Sequence, residues 1–388
     1  MFRKFLRKTP LAWLQLKREP TRLAVAIAGI AFADVLIFFQ VGLTEGLFDS
    51  VTKPYTALQG DLFLINPLFE SLSVVRSFPR RQLYQAAGAS GVRSINYLYI
   101  DQGRWRNPQT LKNQTTMVFA INPSNSAIVL PEVQSHLSQL SLLNQIMYDR
   151  TGPSALFGDI LEPLRQTGTV PIQFNKVQTK VIGTFTMGAS FTANGNIITS
   201  HSTFLQLFPE RRADEIDVGI ITLKPSANID RVQSEIRSQL KDVLVLTHAE
   251  FIDHEKKYWQ VNSPIGFLFG FGAVIGFIVG AVIVYQILYS DVSDHLSEYA
   301  TLKAMGYSDA YLMSVLIQES LIIAVLGFMP GFLVSLGLYA IVTHVTFIPI
   351  IMSFNRAGLV MVLTIVMCVG SGGIAMRKLQ EADPADIF

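Results

Sequence analysis

The chain has 388 residues, half of them hydrophobic and only 15% charged, with a mean hydropathy of +0.36; an ordinary soluble domain carries roughly 25% charged residues. That balance excludes a plain soluble domain and describes a membrane protein with a substantial aqueous part. The net charge of +2 gives no sign of nucleic-acid binding, and a single cysteine, Cys368, excludes an intrachain disulfide, so the aqueous part needs an ordinary apolar core.

Residues 1–22 contain seven basic residues, Arg3, Lys4, Arg7, Lys8, Lys17, Arg18 and Arg22, against one acid, Glu19. Thr9-Pro10 reads as a helix cap followed by proline at the first helical position. Leu11, Trp13, Leu14 and Leu16 then predict a short apolar helix ending before Pro20. Flanked by Lys and Arg, such a helix belongs in the headgroup region; a flexible basic tail is the alternative. Leu23–Leu43 is the first predicted span, matching the roughly 20 residues that cross the hydrocarbon core. It is too long for a signal peptide, and no small-x-small cleavage site follows it cleanly. The basic cluster ahead of it places the N-terminus in the cytoplasm.

Thr44–Ser263 contains no spanning segment and by this orientation is extracytoplasmic. Its composition predicts a mixed α/β domain. Asp61–Ile65, Thr115–Ile121, Val177–Thr186 and Ile216–Leu223 read as strands, being β-branched or aromatic and bounded by turn residues. Ile229, Val232, Ile236 and Leu240 form one stripe of an amphipathic helix capped by Asn228. With Val243–Thr247 as a following strand, 216–247 reads as a βαβ-like unit. The stretch 122–214 is richer in Pro, Asn, Ser and Gly and reads as an inserted subdomain. His248–Ser263 and Glu45–Leu58 flank the first two spans and predict a helical stalk. His248, Glu250, Asp253, His254 and Glu255 are the densest group of possible metal ligands, but helical spacing spreads them around the stalk as a solvated surface.

Pro264–Tyr289 is the second span. Gly272, Gly276 and Gly280 recur at i+4, the small-residue face that lets membrane helices approach closely. The expectation is packing on another helix, including its own copy in a dimer; a lipid-facing stripe is the alternative. Residues 290–310 form a cytoplasmic loop. Tyr311–Val342 is the third span, with Pro330 as a place to tilt or kink and Gly327 and Gly331 again at i+4. After a short outer loop, 343–356, Ala357–Met376 is the fourth span, and 377–388 is a cytoplasmic tail. The fold class is therefore four transmembrane helices with one large α/β domain between the first two.

Two acids fall inside spans, Asp34 in the first and Glu319 in the third. A charge at bilayer depth costs at least about 2.5–3.5 kcal/mol on insertion scales, so each needs a partner, cavity or interface. A proton or substrate contact is the functional reading, and an interhelical hydrogen bond the structural one. The chain lacks a Walker A loop, a G-x-S-x-G elbow and an H-E-x-x-H pair. No acid–base, nucleophile or metal constellation marks it as an enzyme, and no cofactor is expected on it.

Between the second and third spans lies E-Y-A-T-L-K-A-M-G-Y-S, residues 298–308. Tyr299, Leu302 and Met305 repeat at helical spacing, Gly306 suits a left-handed C′ position, and Ser308 suits the cap of the next helix. A two-turn surface helix held between spans is a handle for a soluble partner. Together with the layout, Glu298, Leu302, Lys303, Ala304, Gly306 and Ser308 resemble the loop pattern of permeases of the FtsX/MacB superfamily. E-S-L-I-I-A-V-L-G-F-M-P-G at 319–331 and D-P-A at 383–385 are similar to further family patterns. G-I-A-F-A-D at 29–34 looks most like the DevC branch of cyanobacterial exporters. The resemblance implies a MacB-like half-transporter in a bacterial inner membrane, both termini cytoplasmic, acting as a homodimer. Only 22 residues precede the first span, so it also implies separate P-loop ATPase subunits that carry the ATP and Mg²⁺. Residues 298–308 are then the coupling helix, with Leu302 and Met305 as apolar contacts, and ATP hydrolysis moves the outer domain by mechanotransmission. The DevC-like branch adds a periplasmic adaptor, a TolC-like duct and lipid or glycolipid cargo. The alternative within the superfamily is an FtsX-like signalling scaffold that activates an envelope hydrolase.

Overall fold

A computed structural model describes residues 11–188, 193–346 and 350–381. Among them, four helices are long and apolar enough to cross a membrane: Pro20–Thr56, Pro264–Asp294, Ala310–Thr346 and Phe354–Ala375. Each helix outruns its apolar core, because helical hydrogen bonding continues wherever no residue breaks it. The first starts at Pro20, where the missing N–H costs nothing, and runs past the predicted end at Leu43 to Thr56. The third continues through Pro330, and the fourth reaches Glu381. A short helix, Leu11–Arg18, precedes the first span. The predicted cap at Thr9-Pro10 and the D-P-A of 383–385 lie outside the described residues.

The chain divides into two compact units. The membrane unit holds 1–45, 267–345 and 350–388; the α/β unit holds 46–266 and 346–349. In the α/β unit the strands are β1 (Leu62–Ile65), β2 (Phe78–Pro79), β3 (Val92–Arg106), β4 (Asn113–Ile121), β5 (Gln145–Asp149), β6 (Val170–Phe174), β7 (Val177–Phe185), β8 (Asn196–Ser200), β9 (Glu215–Ile216), β10 (Val218–Leu223) and β11 (Leu244–Thr247). Nine of them form one sheet in the order β11-β1-β10-β3-β4-β8-β5-β7-β6, and β2 pairs with β9. β1 is apolar throughout, as a strand buried on both faces must be. Leu62 and Leu64 enter one core with Val232 and Ile236 of the helix Ile229–Gln239. Phe63 and Ile65 enter the other with Phe251 of the helix His248–Lys257.

β1 lies antiparallel between β10 and β11. The predicted βαβ-like unit is thus a split one, with a strand from earlier in the chain inserted between its two strands. The Asn228 side chain accepts from the Arg231 N–H, as a helix cap should. β3 carries the architecture. Its first half pairs with β10, and its second half, from Tyr99 onward, pairs with β4. A single β3–β6 bridge, Trp105 to Phe174, then curls β3-β4-β8-β5-β7-β6 back on itself. Gly103 permits that closure, because any Cβ there would strike the Phe174 ring. The region expected as an insertion over 122–214 therefore shares β3 and β4 with the rest of the domain.

The stalk residues are not all solvated, and the expectation for Glu255 is corrected. Glu255 is fully buried. Its carboxyl accepts from the Tyr55 hydroxyl, from Leu72 N at 3.0 Å and from Trp259 Nε1 at 2.9 Å. Phe251 one turn away is buried too, so this helix packs on the sheet through that face. Burial raises the Glu255 pKa despite the three donors. The other face, with Asp253 and Lys257, stays toward water.

Candidate partner-docking site

The segment between the second and third spans folds as a helix, Leu296–Ala304. What ends it is local. Gly306 has φ +92°, in the left-handed region. The Tyr307 N–H donates to the Leu302 carbonyl at 3.1 Å, and the Gly306 N–H to the Lys303 carbonyl at 2.9 Å. These are the paired 6→1 and 5→2 bonds of a Schellman motif. They satisfy carbonyls that the helix end would otherwise leave open. The chain restarts at once: the Ser308 carbonyl accepts from Tyr311 N at 2.9 Å, and its hydroxyl lies 3.4 Å from the same donor. The third span follows as Asp309–Thr346.

Around this helix the membrane unit forms a groove of about 450 Å³ between the Leu11–Arg18 helix and the short helix. Leu14, His295, Glu298, Thr301, Leu302 and Met305 line it. Arg18 reaches Glu298 at 3.5 Å, an exposed ion pair that orients the two helices and adds under about 1 kcal/mol. The two apolar residues expected to contact a partner have different placements. Leu302 packs inward against Val292, Leu312 and Leu316 and is only partly exposed. Met305 is 63% exposed, beside exposed Tyr307. Leu302 therefore seats the helix, while Met305 is open to a partner. Lys303 is half-buried, and the Tyr299 side chain lies outside the described residues.

Below the helix is a charged cluster that the sequence reading missed. Arg22 contacts Asp294 and also reaches Glu19 at 2.9 Å and Asp291 at 3.4 Å. His295 Nδ1 lies 3.6 Å from Asp291. The first and second spans are thereby tied together at the end that carries the short helix. Glu319, on the third span, is buried as well. Opposite charges at the ends of neighbouring apolar runs, Arg22 against Asp291 and Asp294, were the available signal.

Asp34 is fully buried, and the Thr364 hydroxyl of the fourth span donates to its Oδ1 at 2.6 Å. The glycine stripes explain why so polar a contact fits. A Cβ on Gly331 would lie 2.9 Å from the Asp34 Cβ, and one on Gly327 would lie 2.6 Å from Ile30 Cβ. On the second span, Gly272 faces Gln40, Gly276 faces Leu36 and Gly280 faces Ala33, all on the first span. Of the expected occupants, another helix or a second copy of the chain, the first span of the same chain lies against this face. These glycines are spent on packing within one chain, because the first span occupies the groove they leave.

At the other end of this unit Arg356 binds Glu45 through Nε at 2.9 Å and donates to the Ile351 carbonyl at 3.0 Å. Its guanidinium lies over the Tyr339 ring, so this end too is closed by side chains from the first, third and fourth spans. Among the described residues no group of three His, Cys, Asp or Glu could hold a metal ion.

Compared with known proteins, residues 270–384 match the family model described as FtsX-like permease C-terminal. No curated protein matches the chain by sequence. Among solved structures, the chain is similar to the periplasmic region of MacB from Actinobacillus actinomycetemcomitans, at 13% identity and a TM-score of 0.34, over 50% of this chain and 92% of that one. It is also similar to the extracellular domain of the noncanonic ABC-type transporter YknZ from Gram-positive bacteria, at 12% identity and a TM-score of 0.33, over 48% of this chain and 99% of that one. The short helix, its Schellman turn, Asp291 and Glu319 all lie inside the segment that matches the FtsX-like permease C-terminal model.

Proposed function

We propose that the chain is the permease subunit of an ABC transporter and that a separate P-loop ATPase docks on residues 298–308. The observation that carries this reading is the rigid, Schellman-capped helix with exposed Met305, set between two spanning helices inside a segment that matches the FtsX-like permease model. The ATP and Mg²⁺ belong to the partner, and this chain supplies no catalytic group. Its task is to move. Through the Arg18–Glu298 pair and Leu302 the short helix is coupled to the Leu11–Arg18 helix and to the second and third spans, so displacing it displaces their ends together. The first spanning helix continues unbroken to Thr56 and can carry that displacement along its length.

The reading extends to a homodimer in a bacterial inner membrane, with both termini cytoplasmic. Mechanotransmission then drives export of lipid or glycolipid-type cargo through a periplasmic adaptor and a TolC-like duct, as in the DevC branch. The test is affinity capture of the tagged full-length protein from native membranes, with mass spectrometry of what copurifies. A stoichiometric P-loop ATPase supports the permease reading, and an adaptor with it supports export. An envelope hydrolase in place of the adaptor moves the assignment to a signalling scaffold. Capture of the folded protein without any ATPase refutes the permease reading.

A further inference from the structure

The α/β unit holds a second open groove, of about 550 Å³, at the closing edge of the curled sheet. Arg104, Arg106, Asn113, Gln173, Asn175 and Lys176 line it. Its position follows from β3. Trp105 points into the core and donates its indole N–H to the Phe157 carbonyl at 3.0 Å. Arg104 and Arg106, on the opposite face at period two, are both exposed. The β6–β7 turn brings Lys176 beside them. Arg106 is aimed by a 2.6 Å bond from Nη1 to Gln173 Oε1. Among the described residues, neither the Arg104 guanidinium nor the Lys176 ammonium has a hydrogen-bond or ion-pair partner. Three cations thus converge against one acid, Glu210, at the rim.

The walls are preorganised. Asn175 accepts from Arg104 N at 2.8 Å and donates to the Leu207 carbonyl at 3.1 Å, so the turn is fixed to β3. In the β3–β4 loop, buried Asn107 accepts from the N–H groups of Gln109 and Thr110 at 2.8 and 2.9 Å and donates to the Leu156 carbonyl at 2.9 Å. That loop holds Leu111, another lining residue, at φ 59°. Of the four described non-glycine residues with left-handed backbone, Leu111, Asn175 and Lys176 line this one groove. Asn175 and Lys176 are the two central residues of the tight β6–β7 hairpin, which needs positive φ at both and so fixes where Lys176 stands.

We propose that this groove binds an anionic sugar, a carboxylate- or phosphate-bearing saccharide that is either free or the headgroup of a lipid. Arg104, Arg106 and Lys176 take the anion through charge-assisted hydrogen bonds. The Gln173 amide donors, Asn113 and the Glu210 carboxylate are suited to hydroxyls, which a bare anion lacks. The site is independent of the ATPase-docking helix and stands whether or not that reading holds.

The test is calorimetric titration of the full-length protein in detergent with glucuronate, with glucose as the neutral control. Below its micelle concentration, a dihexanoyl glycerolipid with a glucuronosyl headgroup is titrated against its glucosyl counterpart, and an oligoglutamate peptide is run in parallel. The proposal expects glucuronate or the glucuronosyl lipid to bind while its neutral counterpart does not. Binding of the soluble sugar acid assigns a free ligand; binding of the lipid alone assigns a headgroup. Arg104→Gln and Arg106→Gln should each weaken binding about tenfold, the loss of one charge-assisted contact. Lys241→Gln, at another exposed cation, should leave it unchanged. Because all three positions are exposed, the variants fold, and each is checked by its melting temperature. Binding of oligoglutamate alone, lost in the arginine variants, makes the groove a protein-docking surface and overturns the proposal. Absence of binding, or binding indifferent to both arginine variants, overturns it as well.

Discussion

Gly306 offers a clean separation of backbone from side-chain effects at the docking helix. Its φ of +92° is one that residues with a Cβ rarely adopt, yet a Cβ built there meets no atom within 4 Å. A substitution therefore meets no neighbour and is opposed only by its own backbone. Alanine should cost roughly 1–2 kcal/mol in a left-handed position, asparagine less, and β-branched valine more. The alternative to paying that strain is to open the turn, losing the Tyr307–Leu302 and Gly306–Lys303 bonds and with them the fixed angle between the short helix and the third span. Because 1.4 kcal/mol is about tenfold in an equilibrium, Gly306→Val should reduce ATPase copurification by an order of magnitude or more at equal expression. Capture should fall in the order Gly, Asn, Ala, Val. The assay is quantitative mass spectrometry of partner per permease across this series. Wild-type capture by the valine variant would remove the docking role of the turn. An asparagine variant as poor as valine would show that side-chain bulk, and not the left-handed backbone, sets the loss.

The glycine stripe gives a paired test. Gly280→Ala places a methyl 2.6 Å from Ala33 Cβ, which has no rotamer to move, and should lower the melting temperature of the detergent-solubilised protein, whereas Gly270→Ala has open space and should be neutral or slightly stabilising through helix propensity. Equal melting temperatures would contradict the packing of the second span on the first. At Glu255, Tyr55→Phe removes one of three donors and should cost about 1–2 kcal/mol, while Glu255→Leu strands the Trp259 and Leu72 N–H groups and should cost more; denaturant melts of the two variants compare them. His201 is stacked on Tyr97 at 4.4 Å between ring centroids, and burial pushes its pKa down to about 4 from 6.5. The unfolded chain therefore binds a proton between these values that the folded one refuses, so stability falls as pH drops from about 6.5 to about 4, by up to about 3 kcal/mol. His201→Gln should flatten that part of the melting-temperature profile; an unchanged slope would assign the acid sensitivity to other groups.

Much of this organisation is legible along the chain because it is encoded locally. An apolar run of sufficient length is a spanning helix wherever it later packs, and the four runs declare themselves by length alone. Asn228 caps its helix, and Gly306 and Ser308 end one helix and start the next, through bonds to residues at most five positions away. Local legibility failed where polarity and periodicity disagreed. β3, V-R-S-I-N-Y-L-Y-I-D-Q-G-R-W-R, mixes polar residues on a face that turns from solvent to core along its length, so it shows no single alternation.

Local signals along the chain therefore set the kind and order of the elements: four spans, an α/β domain between the first two, and a capped helix between the second and third. Which surfaces meet is a property of the folded chain. The stripe Gly272, Gly276 and Gly280 specifies close approach but not by whom, and the answer is the first span of the same chain. Glu255 reads as a solvated stalk residue until the fold brings Tyr55, Leu72 and Trp259 around it. Arg22 with Asp291 and Asp294, and the cations Arg104, Arg106 and Lys176, are likewise brought together only by chain closure. Local propensity follows from neighbours within a few residues, whereas a partner surface depends on which distant segment arrives, and neither spacing nor composition records that arrival.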